Sequence, residues 1–199
     1  MNNMPTQFTQ SDVNSLVQDL KHQVAGEIRF DKMTRVLYST DASIYQILPI
    51  GVVIPQTAED VIAVIETSNR YGVPVLPRGG GTSLAGQSVG HAVVIDFSKY
   101  MNKIIEINSD EKWVITEPGI TIDNLNESVK KHNLHFTPDP STKSRANVGG
   151  AMGNNSCGAH SIIYGKTVDQ VKEMEVILSD GNKTNFSEIT GNSLEYKLS

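Results

Sequence analysis

Val73-Pro74-Val75-Leu76, a short apolar run that reads as a buried strand, leads into Pro77-Arg78-Gly79-Gly80-Gly81-Thr82-Ser83-Leu84-Ala85-Gly86-Gln87. Three consecutive glycines permit positive φ and close approach to the main chain, so successive amide N–H groups can point into one concavity and hold an anion. Arg78 adds a cation there, and Thr82 and Ser83 add hydroxyl donors. Four charge-assisted hydrogen bonds at roughly 1.5–3 kcal/mol each would give on the order of 6–12 kcal/mol before ordering costs, enough for a pyrophosphate. The spacing is neither G-x-G-x-x-G nor a Walker loop, and no helix start follows Ser83. Taken alone, the stretch reads equally well as a tight turn between two strands.

Its neighbours define the setting. Upstream, Val52-Val53-Ile54 reads as a buried strand closed by Pro55. Thr57 and Asp60 have capping-box spacing, and Val61, Val64, Ile65 and Ser68 give the next helix an apolar stripe as far as Gly72. Strand, helix and strand form a β-α-β unit whose crossover makes the strands parallel. The glycine loop then lies at the carboxyl end of a strand, where open α/β sheets bind ligands. Further back, Ser11 is placed as the N-cap of a helix with Val13, Leu16, Val17, Leu20 and Val24 on one face, ending at Gly26; residues 27–45 read as loop with a short helix.

Downstream, Ala92 to Phe97 is another strand candidate, and Lys103 to Ile107 with Lys112 to Thr116 reads as a hairpin. Pro118 and Gly119 make a second corner that exposes backbone, and Thr121 caps a helix to about Lys131. Residues 136–158 read as one long loop, rich in Gly, Asn and hydroxyl groups, better suited to a ligand wall than to packing. Val171 to Leu178 and Lys183 to Phe186 form a last hairpin, and Ser193 to Leu198 looks helical.

Charge and composition exclude several classes. With 17 basic against 22 acidic residues, the net charge of −5 offers no footprint for nucleic acid or an anionic membrane. At 38% hydrophobic and 20% charged residues the chain is of globular type, and its longest apolar run, Ile47 to Pro55, is too short for a transmembrane segment. Met1 to Phe8 shows no signal-peptide pattern. Cys157 is the single cysteine, so no internal disulfide forms and a cytoplasmic setting is expected; it reads as a small buried residue. The five histidines are scattered, and no metal site is expected.

The motifs in order are Val53-Ile54-Pro55-Gln56-Thr57-Ala58-Glu59-Asp60-Val61, Pro77 to Gln87, Glu117-Pro118-Gly119 and Pro138-Asp139-Pro140-Ser141. Val148-Gly149-Gly150, Gly153-Asn154-Asn155-Ser156-Cys157-Gly158 and Tyr164-Gly165-Lys166-Thr167 follow. Over about residues 35–187 the chain resembles the flavin domain of the vanillyl-alcohol oxidase and p-cresol methylhydroxylase type. Within that group it resembles the FAD-linked D-2-hydroxyacid dehydrogenases, which include D-lactate, glycolate and D-2-hydroxyglutarate enzymes. The Asn154-Asn155-Ser156-Cys157-Gly158 version is similar to large members with an iron–sulfur module elsewhere in a longer chain.

The resemblance implies an α+β fold of two lobes: a small parallel βαβ lobe, and a larger lobe of mixed or antiparallel sheet with helices. Residues 1–34 would form an N-terminal helix and extension, 35–90 the first lobe and 91–199 the second, cut before a closing strand and cap domain. It implies a cradle for the FAD pyrophosphate at Gly79 to Ser83, flanked by Pro77, Arg78, Gly86 and Gln87. Pro118, Gly119, Pro138, Asp139, Ser141, Gly149, Gly150, Gly153, Asn154, Asn155, Ser156 and Gly158 would line the ribityl chain and ring, with Tyr164, Gly165 and Val171 nearer the adenine.

Thr82 stands where relatives attach flavin to a histidine, so the FAD is expected to be non-covalent. His160 reads as a surface residue, with contact to a substrate carboxylate as the alternative. The implied activity is hydride transfer from a D-2-hydroxy acid to FAD, with electrons passing to a quinone, cytochrome or electron-transfer protein. The setting would be cytoplasmic or peripheral to the inner membrane. The base and substrate arginines would lie outside these 199 residues. Two other readings stay open: a flavin- or nucleotide-binding module without turnover, and a reductase of the UDP-N-acetylenolpyruvoylglucosamine type, which residues 154–158 fit poorly.

Overall fold

The computed structural model describes residues 8–187; residues 1–7 and the helical reading of Ser193 to Leu198 lie outside them. Helix α1 (Gln10–Gln23) is capped by Thr9, two residues before Ser11. Thr9 Oγ1 accepts from the Asp12 amide at 3.2 Å while the Asp12 carboxylate accepts from the Thr9 amide at 2.7 Å, a reciprocal cap that Ser11 has no partner to make. β1 (Glu27–Arg29) and α2 (Lys32–Leu37), capped by Asp31, follow. β2 (Gly51–Ile54), α3 (Ala58–Arg70), β3 (Val75–Arg78) and β4 (Val93–Asp96) complete the first layer.

The sheet order is β1-β2-β4-β3, with β1 antiparallel to β2 and the other pairs parallel. The β2-α3-β3 crossover is thus parallel as expected, but β4 inserts between its two strands. Both β2 and β4 are buried at every residue, because the two faces of the sheet are covered. Val53, Val93 and Ile95 meet Leu16 and Leu20 of α1 and Val61, Val64 and Ile65 of α3; Val52, Ile54 and Val94 pack on the other side with Tyr38, Leu76 and Tyr100. The sheet therefore extends past both ends of the 35–90 span, taking in β1 and β4.

At the start of α3 the capping box is only half made. Thr57 Oγ1 accepts from the Asp60 amide, but the buried Asp60 carboxylate turns to the amides of Gln56 and Ala25, both at 2.8 Å. It fastens α3 to the end of α1 instead of closing its own helix.

Beyond β4, β5 (Ile104–Asn108) and β6 (Trp113–Thr116) form an antiparallel hairpin. α4 (Ile122–Val129), capped by Thr121, continues into a 3-10 turn, Lys130–His132. The stretch anticipated as one long loop contains α5 (Val148–Gly153), followed by α6 (Ser161–Tyr164) and a 3-10 turn, Thr167–Gln170. Ile120, Ile122, Leu125, Val129, Val148 and Ala151 make a separate core for this part.

The last hairpin, β7 (Met174–Ile177) and β8 (Lys183–Phe186), reaches back to α3: Asn69 Nδ2 donates to Ser179 O at 2.7 Å and Lys183 lies 3.3 Å from Glu59. No helix among the described residues is long and apolar enough to cross a membrane.

Candidate functional site

The two glycine-bearing segments meet. β3 delivers Arg78 and Gly79 to the carboxyl edge of the sheet, and β6 delivers Pro118 and Gly119 beside the turn that enters α5. Gly149 N–H donates to Pro118 O and Val148 N–H to Ile120 O, both at 2.9 Å. From the facing side, a Cβ on Gly79 would come within 2.5 Å of Asn147 Oδ1, and a Cβ on Gly80 would overlap the Arg145 carbonyl oxygen. Gly79 and Gly80 are glycines because the Asn147 side chain and the Arg145 backbone of the second lobe occupy the space their side chains would need, while a Cβ on Gly81 would meet the Arg78 guanidinium. Of the three, Gly81 alone uses positive φ (64°), and Gly79 and Gly80 serve the close approach.

The amides of Gly81, Thr82 and Ser83 are half-buried and meet no protein acceptor among the described residues. Three adjacent main-chain donors left free of protein acceptors are available to an anion. The Gly80 amide is different: it donates to Asn147 Oδ1 at 2.5 Å, inside the concavity.

Arg78 also departs from expectation. Its Nη2 donates to Thr40 O at 2.8 Å, and its Nη1 to Ser88 O at 2.9 Å and Tyr38 O at 3.3 Å. It braces the bend from beneath, with the guanidinium 5.3 Å from the Tyr38 ring centroid. The Tyr38 hydroxyl donates to the buried Asp96 carboxylate at 2.5 Å. Burial, and then that bond and charge, hold Tyr38 well above the usual phenol range. On the far side of the bend, Gly86 (φ 80°) packs against Tyr45, and Gln87 and Pro77 are exposed.

On the second segment, Gly150 and Gly153 have nothing within 4 Å of where a Cβ would stand, which leaves an open face along α5. Asn155 Oδ1 accepts from Val168 N at 3.0 Å, and Ser156 O accepts from Thr167 Oγ1 at 2.7 Å, so these residues anchor the turn that follows α6. Asn154 bonds its own helix at Gly150 O. Gly158 packs on the Pro138 and Asp139 carbonyls, and Ser141 is exposed.

Asp139 is held below the usual carboxylate range by the Lys143 ammonium at 2.7 Å, with smaller contributions from His160 and His135. His160 Nδ1 lies 3.7 Å from Asp139, and its side chain is half exposed. Tyr164 and Gly165 end α6, Val171 follows the 3-10 turn after it, and no hydrogen bond among the described residues ties them to the first bend. Cys157, expected to be buried, is exposed, because α5 ends before it and the chain there runs along the surface.

Asn147 escaped the sequence reading. An asparagine just before a helix signals an N-cap, but this side chain makes no cap bond and crosses to other loops instead.

An unpartnered run of amides with two hydroxyls, set beside an open glycine face, is what the phosphates and chain of a dinucleotide require; the residues fit FAD. The architecture defines the class first. Over all of this chain and 38% of theirs, it superposes on an alkyldihydroxyacetonephosphate synthase structure with a TM-score of 0.80 at 21% identity. Over 92% of the chain and 36% of the other, it superposes on p-cresol methylhydroxylase with substrate bound, with a TM-score of 0.75 at 22% identity.

The sequence is then specific. Residues 49–187 match the FAD binding domain model, and the chain belongs to that family. It is 42% identical over 173 residues to D-2-hydroxyglutarate dehydrogenase of Pseudomonas putida and 39% identical over 174 residues to that of Escherichia coli. In each case the match takes in 85% of this chain. It is also 32% identical to the glycolate oxidase subunit GlcD of Bacillus subtilis, over 84% of this chain and 37% of that protein. The matched part spans only 17% of the length of the D-2-hydroxyglutarate dehydrogenases.

Proposed function

We propose that this chain is the FAD-binding portion of an oxidoreductase that removes a hydride from the α-carbon of a D-2-hydroxy acid, of the D-lactate or D-2-hydroxyglutarate kind. The observation that carries the proposal is the run of unpartnered amides at Gly81, Thr82 and Ser83, in a chain 42% identical to a D-2-hydroxyglutarate dehydrogenase. When bound, FAD supplies the hydride-accepting ring.

The protein's residues bind and orient. Gly81 to Ser83 would hold the pyrophosphate, with Arg78 fixing the bend. Pro118, Gly119, Gly149, Gly150 and Gly153 would line the cofactor along α5, and the Pro138 to Gly158 contact would wall it. Tyr164, Gly165 and Val171 would stand toward the adenine. Thr82 offers a hydroxyl and no imidazole, which supports dissociable cofactor. The two lobes would divide near residue 98, after β4.

A second reading is a module that binds FAD without turning over. In a longer polypeptide, electrons would leave to a quinone, cytochrome or electron-transfer protein, in the cytoplasm or at the inner membrane surface.

FAD titration followed by flavin fluorescence quenching and thermal shift tests the cofactor site, and absence of both sinks it. Anaerobic addition of D-2-hydroxyglutarate or D-lactate to the FAD-loaded chain separates the readings, because only a competent enzyme bleaches the flavin band.

A further inference from the structure

The first bend, the second corner and the start of α5 converge on one buried side chain. Asn147 is 4% exposed. Its Oδ1 accepts from Gly80 N–H at 2.5 Å, and its Nδ2 donates to Gly119 O. Its backbone pairs with Thr121, and its carbonyl accepts from Ala151 N at 2.9 Å. A primary amide is the group that can accept from one main chain and donate to another with a single short side chain. The carboxamide thus joins the first bend to the second lobe, and it occupies the Gly80 N–H. The next three amides remain without acceptors.

We propose that Asn147 is a positioning residue for the cofactor. It latches the bend at Gly79 and Gly80 to the second lobe, so that Gly81, Thr82 and Ser83, and not Gly80, present the N–H groups that grip the pyrophosphate. The inference rests on the reading of the first bend as part of an FAD site for its affinity readout, and on the latch geometry alone for its exchange readout.

The test uses the whole chain and the variants Asn147→Ala, Asn147→Ser and Asn147→Asp, with amide hydrogen exchange by NMR and FAD titration. In the wild type without FAD, the Gly80 amide is protected while those of Gly81 to Ser83 exchange readily and gain protection when FAD is added. Asn147→Ala speeds Gly80 exchange at least about tenfold and weakens FAD binding roughly ten- to a hundredfold, as expected for two lost hydrogen bonds at a buried site. Protection at Val52–Ile54 and Val93–Asp96 stays as in wild type, which shows that the sheet still folds. Asn147→Ser, which keeps one small polar group, recovers part of the affinity.

Asn147→Asp supplies the signature that general loosening would not. A buried carboxylate facing the Gly119 carbonyl binds FAD poorly, and affinity returns as the pH falls and a proton restores the donor. Arg78, Glu117, Asp123 and Arg145, on the segments packed around this residue, are common to both proteins. Only the introduced carboxyl therefore distinguishes the two pH profiles.

If the wild type binds FAD and the alanine variant binds it equally, or Gly80 stays protected without Asn147, or the aspartate profile is flat, the positioning role is overturned while the FAD site stands. A wild type that takes up no FAD overturns the cofactor reading and the positioning role together.

Discussion

The bend at Gly79 to Gly81 and the helix α5 segment Gly149 to Gly153 carry the same residue for opposite reasons. In the first, the missing side chains make room for the protein: Asn147 and Arg145 press against Gly79 and Gly80. In the second, Gly149 packs on Pro118, but Gly150 and Gly153 face open space. A glycine with a neighbour in place of its Cβ is a packing element, whereas one with nothing there is a surface kept clear. The first bend should therefore fail structurally when altered, and the α5 face functionally.

The widest separation of the two comes from Gly80→Val. Its side chain would overlap the Arg145 carbonyl, a backbone atom that cannot rotate away, so the bend must part from the second lobe. The expected loss is more than about 3 kcal/mol of stability, with FAD binding abolished. Thermal melting and FAD titration check both, and a variant that keeps wild-type affinity would show that the bend can open without harm to the site.

Next is the support under the first bend. Tyr38→Phe removes the donor to a buried Asp96 carboxylate, a charge-assisted bond of about 1.5–3 kcal/mol. Melting should register that loss, and FAD affinity should fall several-fold as Arg78 loses its ordered platform. Gly150→Leu sharpens the other half of the comparison. With no atom within 4 Å, the new side chain should leave melting within about 0.5 kcal/mol of wild type, yet weaken FAD roughly tenfold by filling the cleared face. Unchanged affinity would place the cofactor elsewhere.

Much of this architecture is legible in the sequence. The stripe of Val61, Val64, Ile65 and Ser68 repeats with helical period, and strong local patterns of that kind survive tertiary context; all four are buried on α3. The hairpins about residues 109–112 and 179–182 were equally readable, since turn chemistry is local. β1 was not, because Glu27-Ile28-Arg29 has a single apolar residue and becomes a strand only by pairing with β2. The insertion of β4 between β2 and β3 is likewise a choice among parallel partners that no local pattern encodes.

At the site, the glycine loop announced itself by composition, but the duties of Arg78 and Asn147 did not. A cation beside glycines reads as an anion ligand until three carbonyls are seen around it. α5 was hidden because glycine is a poor helix former, and its turn depends on the core made by Val148 and Ala151.

The smallest effect tests the connection between the first bend and the second glycine segment. Glu27 accepts from Tyr100 Oη at 2.6 Å and Arg29 Nη2 at 2.5 Å, and also pairs with Lys99. It thus ties β1 to the segment after β4. Met101, at the end of that segment, accepts the Gly119 amide at 2.7 Å. The bond from Lys99, then those from Tyr100 and Arg29, lower the Glu27 carboxyl from 4.5 to about 2. A folded-state value below the unfolded one means the contribution is complete above about pH 4.5 and drains away as the pH falls toward 2. Glu27→Gln should therefore be less stable than wild type at neutral pH, with the gap closing between pH 4.5 and 2; high salt should narrow it further, since these partners are partly exposed. Both segments should keep their exchange patterns through that window. If acid instead released Gly80 protection above pH 4.5, the junction would depend on a group other than Glu27, and the two segments would share a weakness that the structure gives only to their connection.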